Sequence, residues 1–454
     1  MKACSFTLLS KRRGGGGGAP IEHKLIIGEN YDALKNLLVT YVDSRGKGLI
    51  DVIYIDPPYN TEKSKEEGND YKEEVEAKKF IYRDKFTRDG WLNMMNERLK
   101  LAKKLLSDKG VIFISIDDTE QAYLKVLCDE IFGESNFIVV FNWQTTDGAQ
   151  GIPTKQLVSP NHEYVLCYTK DKNAGFKFAG LGRQQDSGFK NPDNDARGRW
   201  KRQYLQRFGL GFTEKTIIDP KTNISFTFET PYTQDNLNDM IKDNRIIFPK
   251  QKTQYPAFKE FLSEYENNRQ ITSSLGLYPT KSFTEEFNTI FNGKRVFNNP
   301  KPVPLIKFLI KQANNVNATI LDFFAGSGTT GQAVMELNAE DEGNRKFVLV
   351  TNNENNIATN ITRERLYRVI NGKGSKGEKI EWEYSKEKKS LTNNTVRVFD
   401  IKTENLTIAD VEKAERIKTE AEKDFKKLNE KYQAKDDLYI YTQLTSLNPY
   451  KSEK

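Results

Sequence analysis

The feature that most restricts how this 454-residue chain can fold is an alternation of short apolar runs with amphipathic stretches. "HKLIIGEN", "GLIDVIYIDPPYN", "VIFISIDD" and "HEYVLCYTK" read as strands. "YDALKNLLVTYV", "WLNMMNERLKLAKKLLSDKG" and "EQAYLKVLCDEIFG" carry apolar residues at helical spacing, and the last two are expected to stop at Gly110 and Gly133. Strands separated by helices need crossover connections, which build a mostly parallel sheet. The expected class is α/β with a Rossmann-like central sheet.

The rhythm is lost between about Phe176 and Pro300. That stretch holds 20 aromatic residues and 19 basic against 14 acidic ones, so it reads as a separate insertion. The alternation resumes with "VPLIKFLIKQANN" as a helix, "ATILDFFAGSGTTGQAVMEL" as strand, turn and helix, and "KFVLVTNNE" as a strand. From about Lys402 the chain is charged and helical, with Val411, Ala414, Ile417, Ala421, Phe425, Leu428 and Tyr432 three or four residues apart. This stripe is expected to pack on its own domain, with a self-association or partner helix as the alternative. "RRGGGGGAP" (residues 12–20) reads as flexible, because five glycines bury nothing and carry high backbone entropy. The expected division is a tail at 1–20, a first half-domain at 21–175, the insertion at 176–300, a second half-domain at 301–400 and a helical segment at 401–454.

Composition removes several chemistries. Cys4, Cys128 and Cys167 form no CxxC pair and the only histidines are His23 and His162, which argues against disulfides, zinc and a histidine triad; no metal is expected. No apolar run approaches the roughly 18 residues of a membrane span, so a cytoplasmic setting is expected. The net charge of +7 suits a polyanionic partner without demanding one.

Two motifs carry chemistry. "LDFFAGSGTT" places Asp322 at a strand end and Gly326 and Gly328 in the turn, with Thr329 and Thr330 opening a helix. It is read as a two-glycine turn, unlike the three-glycine dinucleotide fingerprint, and it lacks the Lys-Ser/Thr pair of a phosphate loop. Glu354, just past "KFVLV", stands where an acidic side chain binds a ribose diol in such folds. The second motif is "DPPYN". A residue before proline is pushed to extended angles, and each proline fixes φ and lacks a donor, so Asp56 and the Pro57 carbonyl become two stiff acceptors. Two acceptors suit an NH₂ group such as the exocyclic amine of adenine or cytosine, whose lone pair they would help aim at an electrophile. Pro58 stiffens the turn, and Tyr59 offers a face for a stacked base, worth about 1 to 3 kcal/mol. The base must leave its duplex to arrive there. A rigid turn with no chemistry also explains the four letters taken alone.

Together the motifs resemble the amino-methylating DNA methyltransferases of the permuted β order, and among them the Mod-like subunits of type III restriction-modification systems. "DPPYN" precedes "DFFAGSGTT", as that order requires, and "WLNMMNERLKLAKKLL", "GVIFISIDD", "HEYVLCYTK" and "NPDNDARGRWK" extend the likeness over about residues 21–370. The resemblance implies an S-adenosylmethionine-dependent methyltransferase fold and N6-adenine methylation of a short sequence in double-stranded DNA, with cytosine N4 as the alternative. It implies a catalytic motif of Asp56, Pro57, Pro58 and Tyr59. It implies cofactor contacts from Glu29, Asn30, Asp56, Lys301, Pro302, Asp322, Phe323, Phe324, Ala325, Gly326, Ser327, Gly328, Thr329, Thr330 and Glu354. Glu29 stands where the family usually has aspartate. The insertion becomes the target-recognition region, with Arg197, Arg199, Trp200, Lys201 and Arg202 as DNA contacts. A stand-alone homodimer and a bacterial subunit that docks a restriction (Res-type) partner both fit the resemblance.

Overall fold

The computed structural model describes residues 2–8, 20–61, 86–148, 158–181, 188–251, 253–263, 270–380, 391–407 and 409–446. Two compact units divide the chain, one formed by Met1–Ala179 with Ile271–Lys454 and the other by Gly180–Gln270. The expected insertion is thus narrower than 176–300, because Phe176 and Phe178 pack on the core of the large unit and Ser274–Leu277 joins its sheet.

The first unit is built on a ten-stranded sheet. In chain order the strands are β1 (Lys2–Leu8), β2 (Ile21–Ile27), β3 (Ile50–Ile55), β4 (Leu106–Ile116), β5 (Phe137–Gln144) and β6 (His162–Thr169). β7 to β11 belong to the inserted unit, and the sheet continues with β12 (Ser274–Leu277), β13 (Thr319–Asp322), β14 (Lys346–Thr351) and β15 (Asn394–Asn405). Their spatial order is β1-β15-β2-β14-β13-β3-β4-β6-β5-β12. β1 pairs antiparallel with β15, and β6 runs antiparallel to both β4 and β5; every other neighbouring pair is parallel.

Side chains alternate across this sheet with period two. Ile53, Ile55, Ile112 and Ile114 face a layer containing α1 (Asn30–Thr40), α2 (Arg88–Leu105) and α3 (Gln121–Phe132). Val52, Tyr54, Val111 and Phe113 face the opposite layer. There lie α5 (Thr280–Ile290), α6 (Val303–Gln312), α7 (Thr329–Asp341) and α8 (Arg363–Asn371), α4 (Gln234–Lys242) being in the inserted unit. A strand buried on both faces reads as a continuous apolar run, which is why β3 and β4 are legible in the sequence. α9 (Val411–Leu428) and α10 (Asp437–Leu444) join the first layer, where Ile417, Ala421, Phe425 and Leu428 are buried and Tyr41 donates its hydroxyl to Leu428 O. The C-terminal stripe therefore packs on its own domain.

Three expectations are corrected. α2 ends at Leu105, and Gly110 lies inside β4, where the β3–β4 ladder is irregular. A Cβ at Gly110 would stand 2.9 Å from Ser107 O and 3.0 Å from Ile50 O, so close backbone approach explains that glycine. Residues 2–8 form an edge strand and so depart from the expected tail; the glycine run itself lies outside the described residues. Lys402–Asn405 belong to β15, and the helix begins only at Val411. No helix among the described residues is long and apolar enough to cross a membrane.

The inserted unit carries a three-stranded antiparallel sheet of β10 (Ile246–Ile247), β11 (Ala257–Phe261) and β7 (Trp200–Tyr204). Beside it in sequence are the hairpin of β8 (Thr213–Ile218) and β9 (Ser225–Thr230) and the helix α4. Leu205, Ile217, Phe226, Phe228, Leu237 and Ile246 form its small core.

Candidate active site

β3 leads through α2 to β4 on one side, whereas β13 leads through α7 to β14 on the other. The two strands are neighbours, with Ile320 opposite Val52 and Leu321 opposite Ile53. Their carboxyl ends therefore flank a topological switch point, the crevice where open α/β sheets bind ligands. "DPPYN" continues from β3 and "FFAGSG" from β13, so parallel pairing alone brings the two halves of the motif set together.

The proline corner is braced from several sides. Trp91, fully buried on α2, donates Nε1–H to Pro58 O at 2.7 Å. Asn60 adopts the left-handed conformation, φ 60°, and is buried; its side chain donates to Glu120 Oε1 at 3.0 Å and accepts from Phe86 N at 2.9 Å. Left-handed backbone favours Asn among residues with a side chain. The result is a turn in which the carbonyl of Pro58 is already used, while Asp56 stands beside Lys301.

Asp56 is 29 % exposed, and its Oδ1 lies 3.2 Å from Lys301 Nζ. The two attract as charges, and acceptor capacity is left over because the two oxygens of a carboxylate carry more lone pairs than one ammonium contact uses. Burial pushes the Asp56 carboxyl above the usual carboxylate range; Lys301 opposes that shift and Glu163 reinforces it. Lys301 Nζ also lies 3.0 Å from Glu163 Oε2 on β6 and 4.6 Å from the centre of the Tyr59 ring. Tyr59 donates its hydroxyl to the same Glu163 oxygen at 3.0 Å. Burial disfavours the Lys301 cation, but Asp56 and Glu163 outweigh it and raise the ammonium above its ordinary value.

The glycine turn is equally constrained. Asp322, 2 % exposed, accepts from Phe324 N at 3.0 Å and from Thr330 Oγ1 at 2.6 Å. Burial nevertheless pushes its carboxyl up to about 7, with Asp56 adding to the rise. Phe323 is fully buried, Phe324 is half-buried, and Ala325 N donates to Val350 O at 3.0 Å. Gly326 and Gly328 have φ of 49° and 81°, the left-handed region that glycine enters without cost. Arg365, buried on α8, donates to Ser327 O, Ser327 Oγ and Thr329 Oγ1, and Thr362 Oγ1 donates to Gly326 O. The two-glycine reading is corrected by Gly331, which completes the Gly326-x-Gly328-x-x-Gly331 spacing. A Cβ there would stand 2.7 Å from Leu366 Cδ2, so the third glycine permits close helix packing.

The remaining expected cofactor residues follow β2 and β14 or lie at the start of α6. Asn30 donates Nδ2–H to Phe323 O at 2.9 Å, tying the end of β2 to the glycine turn. Glu29 caps α1 by accepting from Tyr31 N and Asp32 N, and it pairs with Arg98 of α2. Pro302 is buried at the N-terminal cap of α6, and Glu354 is exposed beyond the end of β14. Sequence reasoning missed Trp91, Arg98, Glu163, Glu120 and Arg365. The first three lie in the blocks "WLNMMNERLK" and "HEYVLCYTK", whose polar residues inside buried elements were the available signal.

The basic cluster of the inserted unit is largely committed to internal partners. Arg197 pairs with Asp195 and Asp243, both at 2.9 Å, and covers the Phe261 ring. Lys201 pairs with Glu260 at 2.9 Å, and Trp200 donates Nε1–H to Asp193 at 2.8 Å. Lys259, nearly buried, pairs with Asp193 and Asp195. Arg199 and Arg202 are exposed.

A parallel sheet that brings a stiff acceptor corner and a glycine turn to one crevice makes this unit a methyltransferase-type domain. Residues 50–362 match the family model described as DNA methylase, and the chain belongs to that family. It is 33 % identical over 385 residues to the Type III restriction-modification enzyme StyLTI Mod subunit of Salmonella typhimurium, covering 76 % of this chain and 57 % of that protein. It is 29 % identical to the EcoPI Mod subunit of Escherichia phage P1, covering 73 % and 58 %. The Type II methyltransferase M.KpnI of Klebsiella pneumoniae is 30 % identical over 76 % of this chain and 84 % of its own length. The chain spans somewhat more than half the length of the two Mod subunits.

Proposed function

We propose that the protein transfers a methyl group from S-adenosylmethionine to the N6 amine of adenine within a short sequence of double-stranded DNA. The observation that carries this reading is the placement of Asp56 and the glycine turn on adjacent parallel strands at the switch point. When bound, the cofactor would supply an electrophilic methyl on a sulfonium, which the amine nitrogen would take with a neutral thioether as the leaving group. The residues fit this group: two left-handed glycines expose backbone at the turn, Phe324 is half-buried beside them, and Glu354 stands past β14 for a ribose diol.

The chain's own contribution is to hold the amine. Asp56 and the Pro57 carbonyl accept its two N–H groups, so the nitrogen lone pair is freed from the ring. Positive charge develops on nitrogen as the new bond forms, and the Asp56 carboxylate or water takes the proton that leaves. Tyr59, fixed through Glu163, supplies a stacking face for the extruded base. Adenine is favoured over cytosine N4 because Asp rather than Ser occupies the first motif position.

A second reading, a recognition subunit that also docks a restriction nuclease, is favoured by the likeness to Mod subunits. Methylation-sensitive sequencing of DNA from cells expressing the chain or its Asp56→Ala form tests the main reading. Methyladenine confined to one sequence and lost in the variant is expected. Full methylation by the variant removes Asp56 from the mechanism, and N4-methylcytosine replaces the base assignment. Copurification with a large ATP-dependent protein would establish the second reading.

A further inference from the structure

The charge network beside the proline corner joins residues from three distant parts of the chain. Lys301 lies between two carboxylates, 3.2 Å from Asp56 Oδ1 and 3.0 Å from Glu163 Oε2, and it is only 11 % exposed. Glu163 holds both Lys301 and the Tyr59 hydroxyl, each at 3.0 Å. Lys301 directly precedes α6, whose N-terminal cap is the buried Pro302, so its backbone has little freedom. Glu163 projects from β6, and Asp56 directly follows β3. Rigid elements therefore fix all three groups.

We propose that Lys301 and Glu163 are positioning residues for the Asp56 carboxylate: the lysine keeps Asp56 ionised, and Glu163 holds the lysine so that Asp56 can turn its acceptor toward an amine. The inference rests on the methyl-transfer reading for its purpose but not for its geometry. A seated carboxylate without a cation takes up a proton and ceases to accept from an N–H group. A carboxylate that was the lysine's only counter-charge would be held to that pair in orientation, though not exhausted as an acceptor. Sharing the lysine with Glu163 resolves the conflict, because the cation stays paired while Asp56 engages substrate. Leaving the cation with no counter-charge in this site would be costly.

The groups facing Asp56 are Lys301, Glu163, Tyr59, Tyr54 from β3 and Asp322 from β13. The sign of each substitution follows from their charges. Removing the lysine raises the pH at which Asp56 ionises, and removing Glu163 lowers it. Lys301→Met is thus expected to move the acid limb of the single-turnover methylation rate to higher pH by about 1 to 3 units, with rate recovered in alkaline buffer. Glu163→Gln is expected to move the limb to lower pH and to reduce the plateau rate, because Asp56 is then held by the lysine. S-adenosylmethionine binding, measured by calorimetry on the full chain, is expected to persist in both variants while the acid limb moves.

A second measurement keeps this test separate from the methyl-transfer reading. The Asp56 carboxyl is titrated by infrared difference against Asp56→Asn, in the natural background and with Lys301→Met. If the titration moves upward in the Lys301→Met background but the natural chain methylates no DNA, the positioning network stands and the proposed function fails. If the titration stays in place, or if Lys301→Met abolishes cofactor binding with the acid limb unmoved, Lys301 serves the cofactor and the inference is overturned.

Discussion

The crevice of the large unit and the basic knot of the inserted unit are both dense with paired charges, and they use those charges differently. In the crevice, a lysine set by the start of α6 is shared by two carboxylates set by β3 and β6. In the inserted unit, Arg197, Lys201 and Lys259 are neutralised by Asp193, Asp195, Asp243 and Glu260. The large unit has two extensive apolar layers to stabilise it, so its charges can be held ready for a ligand. The inserted unit has only a small apolar core, and a domain with little apolar burial leans on other links. Its ion pairs serve as such links, and Arg199 and Arg202 are exposed members of the predicted cluster.

Substitutions separate these two uses of charge. The largest effect is expected at Asp56, where Asp56→Ala cuts the single-turnover rate about 10²- to 10⁴-fold while calorimetry still detects cofactor binding. Lys259→Ala is expected to destabilise the inserted unit by about 2 kcal/mol, less than a wholly buried pair because Arg197 still faces Asp195. Urea unfolding followed by the fluorescence of variants that keep Trp200 but lack the other tryptophans reads this, and an unshifted midpoint would show the knot to be ornamental. Gly328→Ala forces a side chain into a left-handed position and is expected to cost about 1 to 2 kcal/mol in the thermal melt.

A pH experiment probes the glycine turn. The folded Asp322 carboxyl titrates at about 7, well above its unfolded value, so the folded state binds more protons across the interval. Stability attributable to this group is full below the unfolded value and declines as pH rises toward 7. Asp322→Asn is expected to flatten the dependence between pH 4 and pH 7 relative to the natural chain. The smallest effect belongs to Arg202→Ala, which should reduce the salt dependence of DNA affinity by about one phosphate contact across all sequences. An unchanged slope would show that Arg202 makes no phosphate contact.

Much of the fold was legible because strands buried on both faces and helices with one apolar face leave different periods in the sequence. The meeting of "DPPYN" and "FFAGSG" was legible for a related reason: both follow apolar runs, and βαβ units place the strand ends on one side of the sheet. Features set by distant pairing were not. β1 and β15 find each other across nearly the whole chain, and Gly110 was read as a helix stop because its true constraint, the backbone of Ile50 and Ser107, is absent from local pattern. Lys301 was expected to meet the cofactor, and only the packing of β6 against β4 brings Glu163 into reach of it. The arginine cluster was legible as a run of positive charge, whereas the acids that fold back onto it, Asp195, Asp243 and Glu260, were not.

The adjacency of β3 and β13 also bears on how the molecule comes into being. Asp56 leaves the ribosome long before Asp322, and the whole of Gly180–Gln270 is translated in the interval. A nascent chain therefore displays the raw edge of β3 until the glycine half emerges, and contacts so widely separated in sequence form slowly. Synthesis thus sets the order of events: a truncated product carries the acidic corner yet has no neighbouring strand to complete its crevice.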